Sequence, residues 1–309
     1  MQRFKNILLV LNPEVEETVA VDKAVSLARQ NGARLTLFSV LKEPPGLGYG
    51  EFVVQQQLAS AITERREWLR CLTIPLQDDN IDLGINVVEG AAFLEIIRQV
   101  LREQHDLVIT TAEERKGIHT RLFGTTSMHL MRKCPCPVWV IKRTKNRPFT
   151  RILAAVDPST SDPKRDSLNQ QILQLATSMA RNEVADLHII HVWHLFGEGY
   201  VSNRMSEQNL QEAKTHDKEQ RKRRFDNLLD CVDFTDMKPR LHLIEGDPEY
   251  CIPELVAAQG IDLLVMGTVC RTGIAGFLIG NTAEEVLNQV DCSVLTLKPE
   301  GFVTPVILE

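Results

Sequence analysis

The residues best suited to do chemistry stand in one run near the C-terminus: Gly267-Thr268-Val269-Cys270-Arg271-Thr272-Gly273, continuing to Gly280-Asn281-Thr282. Glycines let a backbone come close to a polyphosphate. A helix opening at Gly280, Asn281 and Thr282 would turn free N–H groups and a partial positive charge toward an anion. The chemistry this pattern suggests is the holding of a phosphate-bearing ligand. No Ser/His/Asp arrangement and no pair of carboxylates can be placed in the run, so it offers no general base. The expected activity is binding rather than catalysis.

Other chemistry-bearing residues read differently. Cys134-Pro135-Cys136-Pro137 lacks the second ligand pair of a zinc site and enters a buried strand, so core packing is expected. His188, His191 and His194 are spaced by three, which puts neighbours on opposite faces of a strand. The same-face pair would be separated by about 20 Å, too far to share a metal. No metal site is expected. Cys270 beside Arg271 and near a helix start has the surroundings of a redox-responsive thiol.

These residues need a frame, and the chain supplies one twice. Gly90 answers Gly246, Asp106 answers Asp262, Gly117 answers Gly273, Gly124 answers Gly280 and Cys136 answers Cys292, each pair 156 residues apart (246 − 90, 292 − 136). Such a repeat fixes the domain organisation. Two domains are expected, over residues 1–145 and 150–309, joined by the basic linker Lys142–Arg151. Each half opens on a continuous apolar run, Ile7–Leu11 and Ile152–Val156, closed by Asn12-Pro13 and Asp157-Pro158. Such runs predict strands buried on both faces of a parallel sheet. Further strands are predicted at Leu35–Val40, Ile85–Val88, Leu107–Thr110 and Val138–Ile141, then at Leu187–Val192, Arg240–Ile244, Leu263–Met266 and Val294–Leu297.

Helices are predicted between them: Val19–Asn31, Phe93–Gln104, Thr125–Arg132, Leu168–Asn182, Tyr250–Gln259 and Thr282–Val290. A long amphipathic helix is predicted in each half, carrying Leu58, Ala61, Ile62, Trp68, Leu69 and Leu72, and Leu210, Ala213, Phe225, Leu228 and Leu229. Asp247-Pro248 marks a helix start. Alternating strands and helices imply an α/β fold, here two tandem doubly wound five-stranded parallel sheets. The charged run Arg221–Arg224 is read as a solvated helix face.

Composition sets the bounds. The chain has 309 residues, 43% hydrophobic and 25% charged, with a formal net charge of −6. That charge disfavours nucleic acid as a direct partner, because neutralising phosphates needs a basic surface. Seven cysteines, an odd number spread along the chain, do not form a disulfide framework. No stretch reaches the roughly 20 apolar residues of a membrane span. A cytoplasmic protein without a membrane partner is expected.

The loop, the strand starts and the ends Cys136-Pro137-Val138 and Cys292-Ser293-Val294 resemble the universal stress protein family, in its tandem two-domain UspE type. ATP-binding members of that family carry Gly-x2-Gly-x9-Gly-Ser/Thr where this chain has Gly267, Cys270, Gly280 and Asn281. The resemblance implies a Rossmann-like, adenine nucleotide alpha hydrolase-like fold. It further implies a pseudo-dimer of the two halves, with Val138–Ile141 antiparallel to Val294–Leu297, and a second dimerisation between chains. It places adenine at the backbone of Val192 with Ala155 and Met266 nearby. Asp157 would meet the ribose or a phosphate-bound Mg²⁺, Val269 and Cys270 would line the loop, and Arg271 would offset phosphate charge.

Cys270 stands at the second motif glycine, and Asn281 replaces the hydroxyl residue. Asn281 can still donate to phosphate, and Thr282 supplies a hydroxyl one position on. The first half departs further, with Asn12, Thr111 and Glu114 at the key positions and Gly124-Thr125 kept. ATP with Mg²⁺ is therefore expected in the second half only. The function implied is a stress-response binding protein, acting through protein partners and connected with resistance to stresses such as DNA damage. Two alternatives stand beside it: a carrier of an apolar or lipid-like molecule, and a weak ATPase or autophosphorylating enzyme.

Overall fold

An apolar run without alternation is satisfied only between two covering layers, and each half places such a run at the centre of a sheet. The computed structural model describes residues 4–15, 17–42, 51–74, 81–112, 123–142, 148–158, 162–193, 207–268 and 280–308. The chain divides into two compact units.

The first unit contains β1 (Asn6–Val10), α1 (Thr18–Asn31), β2 (Arg34–Leu41), α2 (Glu51–Thr73), β3 (Leu83–Glu89), α3 (Ala92–Glu103), β4 (Leu107–Thr111), α4 (Thr125–Lys133) and β5 (Val138–Ile141). Its strands are all parallel in the order β3-β2-β1-β4-β5. Ile7, Leu8, Leu9, Leu35, Leu37, Phe38, Leu107, Val108 and Ile109 are fully buried, as a two-sided sheet requires. The last residues of the chain also join this unit, where Arg98 Nε donates to the Ile307 carbonyl at 3.4 Å.

The second unit contains β6 (Arg151–Ala155), α5 (Pro163–Glu183), β7 (Asp186–Trp193), α6 (Glu207–Leu229), β8 (Arg240–Glu245), α7 (Pro248–Gln259), β9 (Leu263–Gly267), α8 (Asn281–Gln289) and β10 (Ser293–Leu297). Its order is β8-β7-β6-β9-β10, again parallel throughout. Two α/β units with five-stranded parallel sheets are thus as the sequence predicts. The strand β5 keeps its predicted bounds. The largest difference is α5, which begins at Pro163 rather than Leu168. Its start is set by Asp162, whose carboxylate accepts from Lys164 N–H at 3.0 Å, with Pro163 in the first turn. Asp247 sits at the start of α7 as predicted, without a side-chain cap bond.

Two of the repeated pairs now have a physical account. Asp106 accepts from the N–H groups of Lys5 at 2.7 Å and Asn6 at 3.1 Å. Asp262 accepts from Thr150 N–H at 2.7 Å, Thr150 hydroxyl at 2.9 Å and Arg151 N–H at 3.0 Å. Each aspartate pins the entrance of the central strand to that of its neighbour. Gly90 and Gly246 have φ of +139° and +149°, which side chains rarely adopt, and a Cβ at Gly246 would lie 2.7 Å from Cys251 Sγ.

The remaining sequence readings resolve simply. Arg221 pairs with Asp217 and Lys222 with Asp226, both one helical turn apart on α6, while Phe225 and Leu228 are buried. The side chains of Leu210 and Ala213 lie outside the described residues. Cys134 and Cys136 are buried free thiols with sulfurs 3.6 Å apart. Their contact and burial push the Cys136 thiol well up, away from the reactive thiolate. Among the described residues, no three His, Cys, Asp or Glu side chains gather as a metal set. His188 and His191 are buried, and burial lowers both pKa values. His188 Nδ1 lies 3.1 Å from Nε2 of His242, a partner the spacing argument did not foresee. His194 lies outside the described residues.

Candidate functional site

Open parallel sheets bind ligands beyond the carboxyl ends of their strands, where helix starts converge. In the second unit a cleft of about 150 Å³ opens there. Ala155 comes from the end of β6, Val192 from β7, Met266 and Gly267 from β9, and Thr282 from the first turn of α8, with Asp157 in the loop after β6. Six residues singled out from sequence are thus brought to one place. Gly280 caps α8 with φ −61° and ψ 141°, ordinary extended backbone, so its dihedrals do not require glycine. Asn281 is the exposed first residue of that helix. Val269, Cys270 and Arg271 lie outside the described residues.

Asp157 is held by its backbone. Asn169 on α5 accepts from Asp157 N–H at 3.0 Å and donates to Asp157 C=O at 2.9 Å. This amide clasp fixes the direction in which the carboxylate leaves the chain. Arg165 Nη1 stands 3.8 Å from Asp157 Oδ2. Arg165, Leu168, Asn169 and Ile172 line the cleft, together with Pro248 and Ile252 of α7. Sequence reasoning missed the Arg165 contribution because it began α5 too late. The Asp162-Pro163 pair, the same signal as Asp247-Pro248, would have found it.

Gly267 also packs against α5. A Cβ there would sit 2.8 Å from Leu168 Cδ2. The space opened by the missing side chain is therefore taken by α5 rather than left free for a ligand.

The first unit has a cleft of about 140 Å³ in the corresponding place, containing Asn12 and Thr111. Glu114 lies outside the described residues. A residue that sequence reasoning missed also lines this cleft. Glu17, at the start of α1, accepts from Asn12 N–H at 3.0 Å through Oε1 and from the Thr111 hydroxyl through Oε2. It makes the contact to Asn12 N–H that Asn169 makes to Asp157 N–H. It is 8% exposed, and burial raises its pKa from 4.5 to about 7, against the lowering effect of those two hydrogen bonds. Nothing in Glu14-Val15-Glu16-Glu17 marks the last glutamate as the buried one.

Two α/β units, each a parallel sheet with a cleft at its carboxyl edge, define a tandem doubly wound α/β fold. The chain matches the Universal stress protein family over residues 3–142 and 148–298, and it belongs to that family. It is 27% identical over its whole length to Universal stress protein E of Salmonella typhi, covering 99% of that protein. It is 28% identical to the Universal stress protein E homolog of Haemophilus influenzae, over 96% of this chain and 98% of the other. A universal stress protein crystal structure from Pseudomonas aeruginosa UCBPP-PA14 superposes with a TM-score of 0.71 at 26% identity, covering 97% of this chain and 95% of that one. Family membership carries a role in the response to stress. No described helix is long and apolar enough to cross a membrane.

Proposed function

We propose that the protein is a stress-response binding protein that takes an adenine nucleotide with Mg²⁺ in the cleft of its second unit and acts through protein partners. The observation that carries this reading is the convergence of Ala155, Asp157, Val192, Met266, Gly267 and Thr282 on one cleft. Adenine would lie over the ends of β6, β7 and β9, the ribose at Asp157, and the phosphates toward Gly280–Thr282, where the α8 N-terminus favours anions. A glycine whose dihedrals do not require it, at that helix start, supports close approach by a ligand. Bound Mg²⁺ would offset phosphate charge. The net charge of −6 supports protein rather than nucleic acid as partner. Protection against DNA damage belongs to this proposal, with the cytoplasm as its site of action.

Mg-ATP raises the thermal midpoint under this reading, and Gly280→Arg removes the rise. Absence of a shift at millimolar Mg-ATP would count against it. A second reading is favoured by one observation. Leu168, Ile172, Ile252, Met266 and Val286 give the cleft an apolar wall, and Leu168 fills the space beside Gly267. An apolar small molecule suits that wall. Native mass spectrometry of freshly purified protein separates the two by the mass retained, and phosphate release measured with Mg-ATP separates binding from slow hydrolysis.

A further inference from the structure

The clefts of the two units differ in charge at one equivalent point. In the second unit the residue that holds the backbone after the central strand is the neutral amide of Asn169. In the first it is the carboxylate of Glu17. A desolvated carboxylate is costly unless a cation faces it.

The charged groups around Glu17 can be named element by element. The loop after β1 brings Glu14, the end of β2 brings Lys42, and α2 brings Arg65. Among the described residues, β4, α3 and α4 contribute Thr110, Thr111, Ala92, Ile96, Thr126 and Ser127, none of them charged. Arg65 donates to Ser39 Oγ at 2.8 Å, and its charge is felt from Glu14. Lys42 is exposed to solvent. Among the described residues, the hydrogen-bond partners of Glu17 are neutral, Asn12 N–H and the Thr111 hydroxyl. Each of its oxygens keeps capacity for a further donor.

We propose that the cleft of the first unit binds a small organic cation, a primary ammonium on a short apolar stem, with Glu17 as its anionic seat. The ammonium has three donors, which match the open positions on the Glu17 carboxylate and the hydroxyls of Thr126 and Ser127 lining the same space. Val10, Val15, Val40 and Ile96 supply apolar wall for a stem of a few carbons. The absence of a metal set among the described residues favours an organic cation. A nucleotide does not fit, because its phosphates would meet the same carboxylate. The proposal is independent of what the second unit binds.

Binding has a proton signature. Free Glu17 titrates at about 7, and a cation drives it to the carboxylate, so the proton leaves to solvent. The test is calorimetry of n-butylammonium chloride with the full chain, in buffers of different ionisation heat. Saturation at pH 7 is expected to release about half a proton per chain, and affinity is expected to fall about tenfold from pH 8 to pH 6. n-Butanol, with the same stem and no charge, is expected not to bind. Glu17→Gln is expected to abolish binding, and the amide of Asn169 shows that this backbone position accepts one. Circular dichroism checks its fold. If that variant does not fold, proton release by the wild type decides alone. No binding at roughly 50 mM amine, binding without proton release, or binding that survives Glu17→Gln overturns the proposal.

Discussion

At the residue scale, Glu17 makes the stability of the protein depend on pH in an unusual direction. An ordinary buried carboxylate with cationic partners stabilises the fold above its pKa. Here burial dominates and the pKa rises from 4.5 to about 7. Below pH 4.5 the group is protonated in folded and unfolded chains alike, and it costs nothing. Between 4.5 and 7 the folded state holds a proton that the unfolded state has lost, so stability falls as pH rises. Above that window the full cost is about 3 kcal/mol. Denaturant unfolding at pH 5 and pH 8 is expected to show this loss in the wild type and little of it in Glu17→Gln. Equal slopes in the two proteins would show that the carboxylate is not desolvated. The sequence did not reveal this residue, because burial of one glutamate among three is decided by how α1 meets β1 and β4, not by the local pattern.

At the element scale, α5 explains most of what sequence reasoning lost. Its additional N-terminal residues bring Arg165 toward Asp157, and Leu168 just after them packs against Gly267. Gly267→Ala is expected to destabilise by about 1–3 kcal/mol through overpacking. In a Leu168→Ala background the same change is expected to cost much less, giving a coupling energy of about 1 kcal/mol or more in a double-mutant cycle. Additivity would mean that the two residues do not touch. The other end of α5 carries its own strain. Val184 closes the helix at φ 55° and ψ 44° and is 93% exposed. In α1 the corresponding cap is Gly32, at φ 59°. A β-branched residue in the left-handed region is disfavoured, so Val184→Gly is expected to raise stability by about 1 kcal/mol. Thermal melts would register the change as an upward shift. Strand positions were legible because two-sided burial leaves no alternation to misread, as the unchanged bounds of β5 illustrate. Helix starts were less legible because a cap is one residue, and of the two Asp-Pro pairs that open helices only Asp247-Pro248 was given weight.

At the scale of the whole molecule, the chain repeats its scaffold more faithfully than its clefts. The pairs Asp106/Asp262 and Gly90/Gly246 perform the same task in each unit. The pairs Asn12/Asp157, Thr111/Gly267 and Glu17/Asn169 differ in charge or in side chain. Their mismatch predicts the stoichiometry of nucleotide binding. Titration with Mg-ATP is expected to saturate at one equivalent per chain, lost in Gly280→Arg and kept in Gly124→Arg. Two equivalents would show that Glu17 does not close the first cleft to anions. The repeat was visible from sequence at a constant offset through the scaffold pairs. The equivalence of Glu17 and Asn169 was hidden, because α5 is longer than α1 and the offset changes within it.

The aspartate pins also set a timetable for synthesis. Asp106 lies 101 residues after the Lys5 amide that it holds, and Asp262 lies 112 residues after Thr150. At about 5–20 residues per second, the central strand of each unit leaves the ribosome several seconds before its clamp exists. During that interval each central strand has its β2 or β7 neighbour but keeps an open edge where β4 or β9 will later pair, an edge at which the nascent half can mispair.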